Sequence, residues 1–200
     1  MSIALLAGLV SSGGGATRAQ DGAVQTSIFS PIAGGFTLLV NLDEASDPAS
    51  MLASIDDFVS AAFAFDADVG RFRSFRVGQP ALSDLRSVGR GTAFWVFVPP
   101  ERLDGDLTFW EQPASVRNMA QDLVPGFNLV AWTGSDGVPI SEAVDGLPVR
   151  KVFSWDVAAQ RFEIWDPTAP ASISVDFALE YGQGMWLDLG GTETVVWLQP

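Results

Sequence analysis

The segment GFNLVAW at residues Gly126–Trp132 decides the fold class of this 200-residue chain. Its side chains alternate, so in an extended strand Phe127 and Leu129 lie on one face while Trp132 lies on the opposite face. A related segment, GFTLL, begins at Gly35 and has the same alternation. The pair of segments therefore predicts two equivalent strands, one in each half of the chain.

Further motifs recur in the same order after each of these strands, which indicates an internal repeat. They are FAFD at Phe63–Asp66 and FSWD at Phe153–Asp156, RF at Arg71 and Arg161, PA at Pro80 and Pro170, Gly91 with Trp95 and Gly182 with Trp186, and WEQP at Trp110–Pro113 and WLQP at Trp197–Pro200. Because the matches keep their order along the whole unit, the sequence predicts two tandem copies of one module, over residues 26–113 and 115–200.

Each copy combines short strands with one helical piece. In copy one, Asp47 is an N-cap candidate, Pro48 suits the first helical position, and an apolar stripe over residues 51–62 predicts a helix. In copy two the helical piece is shorter, over residues 140–144, and a glycine follows it. Short strands, frequent turns and one short helix in each copy indicate a mainly β (α+β) fold of two antiparallel modules.

A strand–turn–strand pattern follows the helical piece in both copies. In copy two, Val152–Asp156 alternates in polarity, residues 158–160 supply a turn, and Arg161–Trp165 returns as the partner strand. Copy one repeats this pattern over residues 62–75, with its turn at residues 68–70. Two β-hairpins at equivalent positions are therefore expected.

The strand GFNLVAW, the pair VFSWD and RFEIW, and the Gly-x-Gly-x-Trp segment at Gly182–Trp186 resemble a known kind of repeat. They are similar to tandem Gly-Trp-Asn-Leu-type β-rich repeat modules of bacterial secreted or cell-surface proteins. Copy two fits this pattern better, because Thr37 stands in copy one where the pattern has Asn. The resemblance implies an exported module with a non-catalytic role and does not name a ligand.

Composition and charge exclude several classes of function. The chain has 24 acidic and 11 basic residues, a net charge of −13, and neither His nor Cys. The absence of these two residue types excludes a Ser-His-Asp triad, His-ligated zinc, thiolate metal sites and disulfides. So negative a surface repels phosphate backbones and anionic headgroups, which argues against binding of nucleic acid. No cofactor and no integral membrane span are expected.

The first residues are typical of a leader. Residues 3–10 form an apolar run that is too short to cross a bilayer, which needs about 20 residues. The run fits the apolar region of a signal peptide over residues 1–19, although no basic residue precedes it, and residues 20–25 then form a linker. An extracellular or cell-surface location is therefore expected.

One tryptophan stands out as a candidate for ligand binding. Six of the seven Trp residues align with an aromatic residue in the other copy, so packing is their simpler explanation. Trp132 is the exception, because its counterpart is Asn41 and its side chain faces away from Phe127 and Leu129. We therefore expect Trp132 to be exposed and to be the ligand-binding residue.

The acidic residues do not form a recognisable metal or catalytic motif. Asp66 and Asp68 lack the third acid of an EF-hand loop, and so do Asp104 and Asp106. Asp66 and its counterpart in copy two start the hairpin turns, where pairing with Arg71 or its counterpart Arg161 is expected. No catalytic and no metal-binding residue is therefore predicted.

These observations favour a non-enzymatic surface or matrix module that mediates binding or assembly, with a protein or glycan partner at the cell surface. The alternative is a carbohydrate-binding module that uses exposed Trp side chains, since sugar rings stack on aromatic faces. A small hydrolase with two carboxylates is the second alternative. The sequence leaves the oligomeric state open.

Overall fold

The computed structural model describes residues 17–20, 23–103, 108–113 and 116–199, with side chains from residue 27 onward. The first half contains β1 (Thr17–Gln20), β2 (Ala23–Ile32), β3 (Gly35–Asn41), α1 (Pro48–Leu52), β4 (Ala61–Asp66), β5 (Arg71–Arg76), β6 (Thr92–Val98) and β7 (Thr108–Pro113). Short 3₁₀ turns lie at Pro80–Leu82 and Pro100–Arg102. Most of the predicted leader lies outside the described residues, and β1 and the start of β2 occupy its last positions and the expected linker.

The second half contains β8 (Ala120–Leu123), β9 (Gly126–Ala131), β10 (Val138–Pro139), α2 (Ile140–Ala143), β11 (Val149–Asp156), β12 (Arg161–Trp165), β13 (Ala178–Leu179), β14 (Gly184–Leu189) and β15 (Val195–Leu198). Neighbouring strands throughout the described residues pair antiparallel. The predicted class, a mainly β fold with antiparallel sheets and two short helices, is confirmed.

The two halves have the same strand order. In the first half the order is β3-β6-β4-β5, and in the second it is β9-β14-β11-β12. A smaller sheet accompanies each of these sheets, with the order β1-β2-β7 in the first half and the pair β8-β15 in the second. One bridge between Thr92 and Val130 joins β6 to β9, so the strands form one path from β12 to β5. This order is compatible with the predicted repeat, whose boundaries at residues 113 and 115 remain a prediction.

Three apolar clusters fill the space around the sheets. One lies between the first sheet and α1, and it includes Phe94 and Trp110. Another lies on the corresponding side of the second sheet and includes Trp132 and Trp197. The third lies between the two halves and includes Trp95. Strand alternation explains this layering, because each central strand sends alternate side chains to its own core and to the seam between the halves.

The helix in copy one is shorter than predicted. Asp47 caps it by accepting hydrogen bonds from the N–H groups of residues 49 and 50, and Pro48 is its first residue, as expected. The helix ends at Leu52, and turns continue over residues 53–58. Ser and Asp side chains in this stretch compete for backbone hydrogen bonds and disfavour a helix interior. The apolar stripe is nevertheless buried, because Ile55 and Val59 reach the core from these turns.

Candidate functional site

Trp132 lies in the core, so the expectation that it is exposed was wrong. Its side chain has 0% exposure, and its ring centroid is 5.7 Å from that of Trp197. The indole N–H donates to the carbonyl oxygen of Ser135 at 3.0 Å. The outer face of β9 is covered by β8, β15 and α2 rather than by water, and so Trp132 points into the second core. A ring in this position has no free face for a sugar to stack on.

The repeated WEQP and WLQP motifs have a packing role in both halves. The indole N–H of Trp110 donates to the carbonyl oxygen of Met51 at 3.2 Å, and that of Trp197 donates to Ala143 at 2.8 Å. Each of these tryptophans therefore fastens a β-strand to the short helix of its own half. Both rings are almost fully buried, which agrees with the interpretation of the repeated tryptophans as scaffold.

The glutamine of each motif bonds the backbone at the end of the first strand in the sheet of its half, β3 or β9. The Gln112 amide donates to the carbonyl oxygen of Val40 at 2.6 Å. In the second half, the Gln199 amide donates to Ala131 at 2.9 Å and its oxygen accepts from the N–H of Thr133 at 2.6 Å. Both glutamines are buried, and the side-chain amide replaces a neighbouring strand for these backbone groups.

An aromatic seam joins the two halves through reciprocal contacts. Trp95 of the first half meets Trp155 at 5.2 Å between ring centroids, in an edge-to-face arrangement. Trp186, the counterpart of Trp95, meets Phe65 at 4.9 Å in the same arrangement, and it also meets Phe72 at 5.8 Å. Such edge-to-face pairs are the geometry that aromatic rings prefer. The seam therefore behaves like an interface with an approximate two-fold relation between the halves.

Hydrogen bonds and a close approach hold the seam at one end. The indole N–H of Trp155 donates to the carbonyl oxygen of Phe36 at 3.0 Å. The Gln160 side chain binds both backbone groups of Phe36, accepting at 3.1 Å and donating at 3.0 Å. Near the middle, Gly184 lets the sheets approach, since a Cβ there would be 3.0 Å from the Cβ of Ala93. The relative position of the halves is therefore specifically fixed.

At this end the seam opens into a groove, which we call the aromatic groove. It has a volume of about 400 Å³ and is lined by Phe36, Phe63, Phe72, Trp95, Trp155 and Phe162. Three of these side chains are accessible to solvent, with exposed fractions of 44% for Phe36, 47% for Phe72 and 40% for Phe162. The lining side chains have two polar atoms, the indole nitrogens, and that of Trp155 is already bonded. The groove is therefore suited to an apolar group.

The ion pairs near the groove differ from the expected ones. Asp66 pairs with Arg73 at 2.9 Å rather than with Arg71. The hydrogen bond from Arg73 lowers the pKa of the Asp66 carboxyl from its ordinary value. Asp156 starts its hairpin turn as predicted, by accepting the N–H groups of residues 158 and 159 at 3.0 Å. Arg73 lies two residues further along β5 and donates to Asp66 through both Nε and Nη2.

Glu180 is an exposed acid whose surroundings disfavour the charged form of its carboxyl. Burial raises the pKa of its carboxyl, and the negative charge of Asp136 raises it further. Asp136 accepts the backbone N–H of Tyr181, so it has a structural role. Neither acid lines the aromatic groove. Within the described ranges, no group of three or more acidic side chains is arranged to hold a metal ion.

A second cleft, of about 580 Å³, lies beside the first sheet and is polar. Its lining includes Asp56, Asp57, Arg76 and Arg102. The Arg102 guanidinium donates to the carbonyl oxygen of residue 59 at 3.1 Å, so it closes the turn after α1. Charged side chains at such an open site are well solvated and need no ligand. Exposed aromatic rings gain much more from being covered, which makes the aromatic groove the better candidate.

Sequence reasoning missed the three exposed phenylalanines of the groove. Phe36, Phe72 and Phe162 belong to repeated motifs, and repetition by itself indicates packing within the module. The relevant signal is their strand parity, since each lies on the face opposite to the core of its own half. That face is apolar in both copies, which indicates that it is covered by something outside the module.

Comparison with protein-family models, with curated proteins and with solved structures gives no match for this chain. Among the residues that the structure describes, no helix has the length and apolar character needed to cross a membrane. The geometry of the aromatic groove is therefore the basis for assigning a function.

Proposed function

We propose that this protein is an exported, non-enzymatic binding module that holds a protein partner at its aromatic groove. The observation that carries the proposal is the group of three exposed phenylalanines around an apolar groove between the halves. Burial of an exposed aromatic side chain contributes about 25 cal/mol for each Å² removed from water. Contiguous exposed aromatic surface is typical of interaction sites, where aromatic side chains act as anchors.

A protein partner has better support than a glycan. Sugars need hydrogen-bonding groups beside the aromatic face. The polar side-chain atoms of the groove lining are the indole nitrogens of Trp95 and Trp155, and that of Trp155 is already bonded to Phe36. Leu, Val or Phe side chains of a polypeptide need no such groups. The burial of Trp132 removes the residue on which glycan binding was based. The second alternative, a hydrolase with two catalytic carboxylates, has less support than either, because no carboxylate is among the residues that line the groove.

Export rests on the apolar run at residues 3–10 and on the resemblance to secreted and cell-surface modules. The partner would accordingly be met outside the cell or at its surface. Intact-mass measurement of the protein in cells and in the culture medium tests this part of the proposal. A protein that stays inside the cell with residues 1–19 attached would contradict it.

The binding function is tested by panning a random linear peptide library on the full chain, with a glycan array in parallel. We expect enriched peptides with apolar side chains and at least a tenfold loss of affinity in the variant Phe72→Ser. Phe109→Ser is the matched control, because Phe109 is 56% exposed but lies on β7, outside the groove. Affinity within twofold of wild type is expected for the control. Binding of glycans alone, or peptide binding that Phe72→Ser leaves unchanged, would overturn the proposal.

A further inference from the structure

We propose that the occupant of the aromatic groove is an extended polypeptide segment, which inserts as an additional strand between β5 and β12. This inference rests on the proposed function and adds how the partner is recognised. The partner would contribute its backbone to the two edge strands and alternate apolar side chains to the groove. Recognition of this kind is strand addition at a sheet edge.

The first support is that the two ends of the sheet meet at one groove. β12 and β5 are the first and last strands of the path β12-β11-β14-β9-β6-β4-β5. Phe162 of β12 and Phe72 of β5 nevertheless line the same cavity. The two end strands of the path therefore both contribute a side chain to the groove. A segment inserted there would meet one open backbone position on each of these two strands.

The second support is an unpaired backbone position on β5. The N–H of Ser74 is taken by Asp84 at 2.6 Å and that of Arg76 by the Ser83 hydroxyl at 2.9 Å, so these groups point away from β4. Backbone groups in an antiparallel pair alternate in direction, and those of Phe72 must point the same way. No group in the described part of the chain bonds them.

The edge of β12 has the same arrangement. The carbonyl oxygen of Ile164 accepts the N–H of Val175 at 2.9 Å, and the N–H of Asp166 donates to the Ser174 hydroxyl at 2.8 Å. Alternation again directs the backbone of Phe162 outward, and no partner for it exists within the described ranges. Natural proteins cover edge strands to prevent unwanted pairing. Both edges are covered except at the residue beside the groove.

The third support is charge. Arg71 and Arg161 directly precede the two open positions, and both are exposed. Among the described residues neither forms an ion pair. Their side chains lie on the outer face, because neighbouring residues of a strand alternate, and there they would meet the outward side chains of an inserted strand. The net charge of −13 repels acidic peptides at a distance, but charges beyond about 8 Å are largely screened at physiological ionic strength. The local arginines therefore favour acidic residues at the outward positions.

The segment that fits these features alternates apolar and acidic residues. A suitable probe is the synthetic peptide Thr-Val-Glu-Phe-Glu-Val-Thr with blocked ends, whose Val, Phe and Val side chains would face the groove. Two twins carry one backbone N-methyl group, at the central Phe or at the Glu after it. N-methylation removes an N–H donor and leaves every side chain in place. A further twin has Lys in place of Glu.

Binding of these peptides to the full chain is measured by fluorescence anisotropy at about 0.15 M salt. We expect the plain peptide to bind, each N-methyl twin to bind at least tenfold more weakly, and the Lys twin to bind several-fold more weakly. The two N-methyl positions address different edges, since successive N–H groups of a strand point to opposite sides. Equal affinity of the plain and N-methyl peptides, or a loss at one position alone, would overturn insertion between two strands.

Protein variants separate this inference from the proposed function. Phe72→Ser should abolish binding of the plain peptide, whereas Phe109→Ser should keep it, with thermal unfolding used to show that both variants fold. If Phe72→Ser weakens binding but N-methylation does not, the groove binds side chains without strand pairing, and only the present inference falls. If the plain peptide fails to bind at about 1 mM, strand insertion is also overturned. If the protein instead dimerises through the groove and Phe72→Ser makes it monomeric, a second copy is the occupant and the peptide inference is wrong.

Discussion

Replacement of Trp132 separates a core role from a ligand-binding role. The side chain is completely buried, its ring packs on Trp197, and its indole N–H satisfies the carbonyl oxygen of Ser135. Large-to-small changes at buried aromatic positions cost about 3–5 kcal/mol. Domains are stable by about 5–15 kcal/mol, so Trp132→Ala should remove a large part of the free energy of unfolding. Trp132→Phe keeps most of the ring contacts but loses the hydrogen bond, and about 2 kcal/mol is expected.

The free energies of unfolding are measured by urea titration, with far-UV circular dichroism as the signal because six other tryptophans complicate fluorescence. Leu198→Ala is the control, since Leu198 is 73% exposed on β15 and its loss should change stability by about 0.5 kcal/mol or less. Peptide binding by folded Trp132→Phe should equal that of wild type. A cost below about 1 kcal/mol for Trp132→Ala would refute the packing of β9 described above.

Two further predictions concern the seam and acid stability. Gly184→Val should lower the free energy of unfolding by about 1–3 kcal/mol, because a Cβ there would be 2.9 Å from the Cγ of Leu38; wild-type stability in a urea titration would show that the sheets are not so close. The backbone N–H of Ser74 lowers the pKa of the Asp84 carboxyl below its ordinary value of 3.8, so its contribution to stability is present above that pH and is lost as the pH falls through the folded-state pKa. The urea concentration at the unfolding midpoint of wild type should therefore decrease as the pH is lowered below about 4, and Asp84→Asn should make this decrease smaller. The same dependence on pH in both proteins would contradict the stabilising role of the Asp84 carboxylate.

The parts of the fold that sequence predicts well are those with local causes. The hairpin of Val152–Asp156 and Arg161–Trp165 pairs almost as predicted, because its alternation and its turn lie within one short stretch. β8 was not predicted, since AQDL has little apolar character and its partner β15 follows some 70 residues later. The length of α1 was also not predictable from its sequence pattern. An apolar stripe specifies which side chains are buried, and turns satisfied that pattern as well as a helix.

The candidate site was less predictable than the fold because it depends on how the halves pack. Repetition correctly identified Trp110 and Trp197 as scaffold, since each has its role within one half. Phe72 and Phe162 have a role only where the halves meet, and no local pattern gives the angle or the register of that contact. Asn41 and Trp132 differ between the copies, which predicted a binding role for Trp132, but both fill equivalent buried positions. Asn41 donates to the carbonyl oxygen of Val88 at 2.9 Å, whereas Trp132 packs on a second ring.

A different departure from the repeat explains why the groove lies on one side of the seam. In the first half, Phe36 stands opposite Phe97 in the sheet, and their rings are 5.0 Å apart. In the second half, Phe127 stands opposite Asp188, which forms an ion pair with Arg150. The seam therefore has Phe97 beside Phe36 in the first half, whereas it has the ion pair of Asp188 and Arg150 beside Phe127 in the second half. An apolar side chain in the groove gains by contact with Phe36, on which Phe97 packs, whereas beside Asp188 it would take water from a charged pair. The approximate two-fold relation of the halves thus places aromatic side chains along the whole seam. The difference between Phe97 and Asp188 makes one end of the seam better suited to the proposed binding.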